Sequence, residues 1–193
     1  LLGTPSDLSA LFIGHALAEG YGSFATAQIT QEVSHSGSIN LSIDQTITPG
    51  KSADKIVTSS CGACNRDGLD ELAEGLPSFN GTHERFAHDF IHEQLVRMKT
   101  KQTGFNETGG MHAAALWSPA SNVQYLSEDI GRHNAVDKAI GKALIEGEAF
   151  DSQFLLLSGR CGWDIVAKAA RAGIGTIVSI GACSSLAADT ARL

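Results

Sequence analysis

The chain has 193 residues, of which 42% are hydrophobic and 18% charged, a composition that excludes a disordered chain, and no apolar run is long enough to predict a membrane-spanning helix. The formal net charge of −7 disfavours a general nucleic-acid-binding protein. Because residues 1–131 hold 7 basic and 15 acidic side chains whereas residues 132–193 hold 7 and 6, we expect an anionic ligand to bind nearer the C-terminal third.

The first predicted element is an amphipathic helix that begins near Thr4 and ends at Gly20. Thr4 is expected to cap it, Pro5 suits the first helical position, and Asp7 completes a start similar to a capping box. His15 lies on the apolar face of this helix, where a packed core histidine is favoured over a metal ligand.

A β region follows the first helix. Apolar and polar residues alternate over 39–47, which predicts a half-buried strand, and residues 25–33 are its expected partner through a turn at 36–38. A short strand over 55–58 then leads into a pair of cysteines, and 67–76 is predicted to be a short helix.

The second half of the chain has the pattern of an α/β protein. A helix over 84–101 and a polar loop over 103–110 come first. The elements predicted after them are strands over 112–117, 123–126, 153–158 and 174–180 and helices over 134–145, over 163–172 and from 184 onward. The continuous apolar strands over 153–158 and 174–180 are typical of a buried parallel sheet with a right-handed crossover.

These patterns predict two regions. Residues 1–107 form an N-terminal α+β part that carries the cysteine pair, and residues 108–193 form an α/β part, unless both belong to one continuous domain.

The cysteine pair Cys61-Gly62-Ala63-Cys64 is the strongest local signal of chemistry. Four interpretations are open from this motif: half of a zinc site, a redox pair, a persulfide-carrying cysteine, or a structural role. A four-cysteine zinc site needs a second close pair, and Cys161 and Cys183 do not form one. Four cysteines are too few for a disulfide scaffold, so we expect a reducing compartment.

Two histidines one helical turn apart, His88 and His92, are a candidate metal pair on the helix over 84–101. Asp89 stands where a zinc protease would have its glutamate base. A solvated helix face is therefore the favoured interpretation.

Three polar segments are candidates for ligand binding. Gly109 and Gly110 would let a ligand approach the backbone closely, and His112 can act as acid, base or hydrogen-bond donor or can simply stabilise a tight turn. Arg132 and His133 precede a helix, which suits an anion, although capping and surface charge pairing explain them as well.

The third segment contains Ser158 and Arg160. Together with residues 180–185 it lies at the carboxyl ends of the strands predicted to be parallel, where ligands of open α/β sheets bind. Cys161 and Cys183 also lie there, and free cysteines of this kind are usually packing residues.

Six segments occur in the order found in one known family: 4–8, 61–64, 108–114, 128–138, 158–160 and 184–187. With them the whole chain resembles the formate dehydrogenase accessory sulfurtransferase family, FdhD. The segments 108–114 and 128–138 are much more specific than the C-x-x-C motif.

The resemblance implies a cytoplasmic homodimer with a cytidine-deaminase-like α/β fold, a mixed sheet flanked by helices, and a smaller N-terminal α+β part. It implies that Cys61 receives sulfur from a cysteine desulfurase as a persulfide, with Cys64 assisting. The sulfur then passes to the molybdenum or tungsten bis-guanine-dinucleotide cofactor of formate dehydrogenase, which is bound as substrate. No metal held by the protein itself is expected.

We expect the guanine-nucleotide part of that substrate to bind where cations and glycines meet predicted strand–helix junctions. The residues predicted to bind it are Gly109, Gly110, His112, Arg132, His133, Ser158 and Arg160.

Two alternatives are a chaperone that binds the cofactor without catalysis and a zinc-binding protein similar to a deaminase. Zinc deaminases need H-x-E and P-C-x-x-C. Here Ala114 stands in place of the glutamate after His112, and Ser60 precedes Cys61. The chain also departs from the family pattern at Asn65, where a glycine is usual.

Overall fold

The computed structural model describes residues 1–45, 73–79 and 85–193. Three sequence predictions lie wholly or mostly outside these residues: the strand over 55–58, the Cys61–Cys64 pair and the helix over 67–76.

The described residues form six strands and six helices. In chain order these are α1 (Leu8–Ala18), β1 (Ile29–Val33), β2 (Ile39–Ile43), α2 (His88–Thr100), α3 (Thr103–Thr108), β3 (His112–Ser118), β4 (Val123–Asp129), α4 (Arg132–Ile145), β5 (Phe154–Leu157), α5 (Trp163–Ala172), β6 (Thr176–Ser179) and α6 (Ser185–Thr190). Among the helices of these ranges, none combines the length and the apolar character that crossing a membrane requires.

The strands make two sheets. The larger has the order β4-β3-β5-β6, in which β3 is antiparallel to β4 and β5, whereas β5 and β6 are parallel. The smaller is the predicted hairpin of β1 and β2, with Ile29 opposite Ile43. The fold is therefore mixed α/β, and the parallel β5–α5–β6 unit has the predicted order of elements.

The larger sheet carries helices on both faces because consecutive residues of β5 point to opposite sides. Leu155 and Leu157 pack with residues of α4 and α5 in the main core cluster. Phe154 and Leu156 pack in a second cluster with Met98 of α2. A continuous apolar strand therefore indicates a strand buried on both faces, as β5 is.

Helix α1 crosses α4 at a very short distance. A Cβ atom on Gly14 would lie 1.8 Å from the backbone oxygen of Asp137, and one on Gly141 would lie 1.9 Å from that of Ala10. Glycine is required at both positions because the two backbones touch.

Local patterns predicted the first and last helices less accurately than the strands. Helix α1 begins at Leu8, not near Thr4, and its N-cap residue Asp7 has a left-handed backbone (φ 50°) and makes no capping hydrogen bond through its side chain. Helix α6 does not continue to the end of the chain but ends at Thr190.

Three further predictions need correction. The predicted helix over 84–101 begins only at His88. Residues 103–110 are not simply a loop, because Thr103–Thr108 form α3. Strand β6 is half-exposed rather than buried, since within the described sheet it is the edge strand.

Candidate functional site

A cavity of about 450 Å³, which we name the polar cavity for the charged side chains in its lining, lies where β5 and β6 end and α5 begins. The chain extends the parallel pairing past both strands through a bridge between Cys161 and Cys183. The side chains that give the cavity its chemical character are Arg132, Arg160, Trp163, Asp164, Cys183 and Ser184. This is the edge of a parallel pair where ligands of open α/β sheets bind.

Most of the polar side chains that line the polar cavity are hydrogen-bond donors, with the carboxylate of Asp164 among them as an acceptor. Arg132 has one guanidinium nitrogen 3.9 Å from Asp164, and its buried Nε has no hydrogen-bond partner among the described residues. The buried indole Nε1 of Trp163 is likewise unpaired within that part of the chain. Arg160 is exposed and makes no ion pair with another described side chain. These groups suit an anionic ligand that accepts hydrogen bonds.

The start of α5 adds to the attraction for anions. Gly162 is its N-cap and lines the polar cavity, so the first backbone N–H groups of a ten-residue helix face this region. Asp164 in the first turn offsets part of this positive potential, while Arg132 and Arg160 supply two charges against its one.

His133 does not line the cavity but contacts Asp164, which does. Its Nε2 contacts a carboxylate oxygen of Asp164. Burial lowers the pKa of His133, Arg132 and Lys168 lower it further, and Asp164 opposes them only in part. The imidazole is therefore neutral near pH 7 and donates its Nε2–H to Asp164.

Acidification is expected to destabilise the fold through His133. In the unfolded chain His133 takes up a proton near its ordinary pKa of 6.5, whereas in the folded chain its pKa is lower. The free energy of unfolding should therefore fall as the pH drops below 6.5. One such group changes that free energy by at most about 1.4 kcal/mol per pH unit. Urea unfolding at mildly acidic and neutral pH should show a smaller pH dependence in His133→Gln than in wild type. An unchanged dependence would contradict the prediction.

Two other predicted ligand residues meet at the carboxyl end of β5, where β3 begins. His112 begins β3 and is half-buried, and its Nδ1 lies 3.2 Å from the point where a Cβ on Gly159 would be. The hydroxyl of Ser158 accepts a hydrogen bond of 2.8 Å from the backbone N–H of Ala113. The two residues help to join β3 to the end of β5, and neither lines the polar cavity.

The two predicted glycines do not line the polar cavity either. Gly109 caps the end of α3 with a left-handed backbone (φ 67°), and the backbone N–H of Gly110 donates to the hydroxyl of Thr108. Both glycines are exposed and outside the cavity lining. Of the seven residues predicted to bind the nucleotide, Arg132 and Arg160 line this cavity and His133 reaches it through Asp164.

The segment 128–138 is largely a scaffold, which sequence reasoning missed. Asp129 and Lys138 are both fully buried and form an ion pair of 2.6 Å. Asp129 accepts the backbone N–H of Thr4, and Lys138 donates to the Thr4 carbonyl. The hydroxyl of Thr4 in turn accepts the N–H of Ile130, so Thr4 binds the N-terminal segment to α4 instead of capping α1.

A second buried network joins three helices. Asp137 of α4 pairs with Lys168 of α5 at 2.9 Å, and Lys168 also contacts Glu19 at the end of α1. Burial alone would lower the pKa of Lys168, but Asp137 and Glu19 together raise it above its ordinary value. The carboxylate of the same Asp137 accepts a hydrogen bond of 3.0 Å from Nδ1 of His15, which is half-exposed and so is not the packed core residue predicted.

The histidine pair of α2 faces solvent, in agreement with the favoured prediction. His88 and His92 are both exposed. Within the ranges that the structure describes, no three His, Cys, Asp or Glu side chains are grouped as metal ligands.

Fold and cavity together define a class: a mixed α/β protein with an arginine-lined cavity at the carboxyl ends of two parallel strands. The family model described as FdhD/NarQ matches residues 1–193, and the chain therefore belongs to the FdhD/NarQ family. The resemblance inferred from the motifs is confirmed.

Individual relatives agree with this family. The sulfur carrier protein FdhD of Sulfurisphaera tokodaii is 36% identical over 195 residues, which cover 100% of this chain and 73% of that protein. The protein of the same name from Thermoplasma volcanium is 42% identical over 136 residues, which cover 70% of this chain and 49% of the relative. The chain thus spans between half and three quarters of the length of these relatives.

A solved structure gives the same result. The crystal structure of a proposed formate dehydrogenase accessory protein from Desulfotalea psychrophila matches with a TM-score of 0.67 at 26% identity. The match covers 98% of this chain and 71% of that chain.

Proposed function

We propose that this chain is a sulfurtransferase that carries sulfur as a persulfide on Cys61, with Cys64 assisting, for the maturation of formate dehydrogenase. Its family membership and the relatives named sulfur carrier proteins support the transfer of sulfur. The sulfur donor in this proposal is a cysteine desulfurase, and the acceptor is the molybdenum or tungsten bis-guanine-dinucleotide cofactor.

The chemistry is a pair of exchange reactions. The thiolate of Cys61 attacks the outer sulfur of the donor's persulfide, a new S–S bond forms on Cys61, and the donor cysteine leaves as a thiolate. Transfer to the cofactor breaks the Cys61 S–S bond and reduces the outer sulfur to sulfide. In this proposal the thiol of Cys64 supplies the two electrons by forming a disulfide with Cys61, which an external thiol then reduces.

The observation that carries the acceptor assignment is the lining of the polar cavity. The negative charge of a nucleoside diphosphate is matched by the two arginines and the N-terminus of α5. Its oxygen atoms can accept hydrogen bonds from the unpaired donors of Arg132 and Trp163. The positive balance of these groups also accords with the region of the chain that lacks an acidic excess.

The remaining features of the proposal come from the family resemblance. They are a cytidine-deaminase-like arrangement of the mixed sheet, a homodimer, a cytoplasmic location, and the division into residues 1–107 and 108–193. Formate dehydrogenase is the proposed final partner.

The direct test is the transfer of sulfur from a cysteine desulfurase. With desulfurase and cysteine, the wild-type chain should gain the mass of one sulfur atom on Cys61 and support sulfuration of the cofactor. Cys61→Ser should abolish cofactor sulfuration, because the thiol that holds the sulfur is gone. Cys64→Ser should only weaken it, because an external thiol can attack the persulfide in place of Cys64. Peptide mass mapping locates the sulfur.

Full activity of Cys61→Ser would overturn the assignment of Cys61. A chain that binds the cofactor but never gains sulfur would instead support the chaperone alternative. Tightly bound zinc, lost in Cys64→Ser, would favour a deaminase-like metal site.

A further inference from the structure

Two cysteines outside the C-x-x-C motif lie directly opposite each other at the edge of the polar cavity. Cys161 and Cys183 form a parallel bridge, in which the N–H of Cys161 donates to the Ala182 carbonyl at 3.1 Å and its carbonyl accepts the N–H of Ser184 at 3.2 Å. Paired residues of adjacent parallel strands project their side chains to the same face. The two cysteine side chains therefore lie next to each other on one face, where the thiol of Cys161 contacts the Gly162 carbonyl at 3.9 Å and that of Cys183 the Ser184 carbonyl at 3.5 Å.

Their environments differ strongly. Cys161 is buried, with 4% of its surface exposed, whereas Cys183 is exposed. Burial, together with the neighbouring Cys183 and with Asp164, raises the pKa of Cys161 to about 12. At neutral pH Cys161 is therefore a protonated, buried thiol. Of the two cysteines, only the exposed Cys183 is accessible to a reactant from solution.

Cys183 shares its cavity with two cations and a free hydrogen-bond donor. It lines the same polar cavity as Arg132, Arg160 and the indole of Trp163, which is 91% buried with an unpaired N–H. These groups would hold the anionic acceptor proposed above beside Cys183. Cys161 and Cys183 also line a second, mostly apolar groove of about 450 Å³.

We propose that Cys183 and Cys161 form a second sulfur-transfer site, in which Cys183 accepts the outer sulfur of a persulfide and Cys161 releases it as sulfide beside the polar cavity. This inference rests on the proposed function, since it gives the sulfur-carrying chain a second thiol pair at the site of the acceptor.

The two steps balance in atoms and electrons. First, the Cys183 thiolate attacks the outer sulfur of R–S–SH, the S–S bond of the donor breaks, and R–S⁻ leaves and takes up a proton. Second, Cys161 attacks the inner sulfur of the Cys183 persulfide, which forms a Cys161–Cys183 disulfide and expels HS⁻. Two thiols are oxidised while the transferred sulfur is reduced to sulfide, and an external thiol reduces the disulfide afterwards.

The second step should be slow at neutral pH, because Cys161 must lose its proton to become a nucleophile. Its rate should rise about tenfold per pH unit while the pH remains below the raised pKa of this thiol. The persulfide on Cys183 is thereby retained until a base or an acceptor promotes its release.

The test uses the double variant Cys61→Ser/Cys64→Ser, which leaves Cys161 and Cys183 as the only cysteines. After incubation with glutathione persulfide, peptide mass mapping should find one added sulfur atom on Cys183. Released sulfide and a Cys161–Cys183 disulfide should then accumulate together, faster at higher pH. Further substitution Cys183→Ser should abolish both, and Cys161→Ser should load sulfur but release it at least tenfold more slowly.

Loading absent from Cys183, or sulfide released without the disulfide, would overturn the inference. The disulfide is mapped in the protein that retains both thiols, so the result does not depend on the folding of the Cys161 variant. The single variant Cys183→Ser, loaded on Cys61 by a desulfurase, tests the proposed function separately. Either site can therefore fail while the other succeeds.

Discussion

Replacing Lys138 with methionine should lower the free energy of unfolding by about 3 to 5 kcal/mol, the largest stability effect that we expect in this chain. Lys138 and Asp129 are both fully buried and 2.6 Å apart. Removing the ammonium group leaves the carboxylate of Asp129 without its counter-charge in a region that excludes water. It also removes the donor to the Thr4 carbonyl, which helps to hold the N-terminal segment on α4.

The double variant Lys138→Met/Asp129→Asn should be less destabilised than Lys138→Met alone, because the amide removes the unpaired charge and keeps an oxygen for the N–H of Thr4. Arg192→Ala is the matched control. It breaks an ion pair of 2.7 Å with Asp189, but the two side chains are 73% and 49% exposed, so the change should stay within about 0.5 kcal/mol. Urea unfolding at neutral pH measures all three. Equal effects of Lys138→Met and Arg192→Ala would contradict the prediction.

The elements that were predicted well are those whose signal is local. Alternation over Ile39–Ile43 predicts the hairpin strand β2 because one face of it is half-buried. The continuous apolar run predicted the buried strand β5 of the parallel unit beside the cavity. Helix α5 of that unit ends at Gly173, whose backbone is left-handed (φ 78°), as is typical of a glycine that ends a helix. No such local pattern reports that β6 is an edge strand, since that depends on its neighbours in space.

The start of α1 shows how tertiary contacts override a local signal. Thr4 and Pro5 resemble the beginning of a helix, but the backbone and hydroxyl of Thr4 bond to Asp129, Lys138 and Ile130. The partners lie more than a hundred residues away in sequence. A capping preference of about 1 kcal/mol cannot compete with bonds to a buried ion pair.

The polar cavity was predictable in part. The local excess of basic side chains and the strand–helix junctions indicated Arg132 and Arg160, and both line the cavity. Trp163 and Asp164 were not among the residues predicted to bind the nucleotide. Their importance depends on how α5 begins against α4, where Asp164 meets His133 and Arg132, a contact that spacing along the chain does not reveal.

Removing an arginine from the polar cavity should weaken the binding of GDP by tenfold to a hundredfold. In our proposal Arg132 and Arg160 each contribute a charge-assisted contact to phosphate, and losing one such contact costs about 1.5 to 3 kcal/mol. Arg132→Ala should have the larger effect. It removes the buried Nε donor. It also removes the guanidinium that lies 3.9 Å from Asp164, so that this carboxylate repels the phosphates without a nearby positive charge to offset it.

Calorimetric titration of GDP into wild type, Arg132→Ala, Arg160→Ala and the double variant measures these differences at fixed ionic strength. Arg132→Lys separates charge from geometry, because it keeps the cation but loses the Nε donor, and its affinity should lie between those of wild type and Arg132→Ala. Arg192→Ala, an exposed arginine outside the cavity lining, is the control and should bind as wild type does. If Arg132→Ala and Arg160→Ala also bind GDP as tightly as wild type, the nucleotide binds elsewhere on the chain, and the cavity loses the role proposed for it.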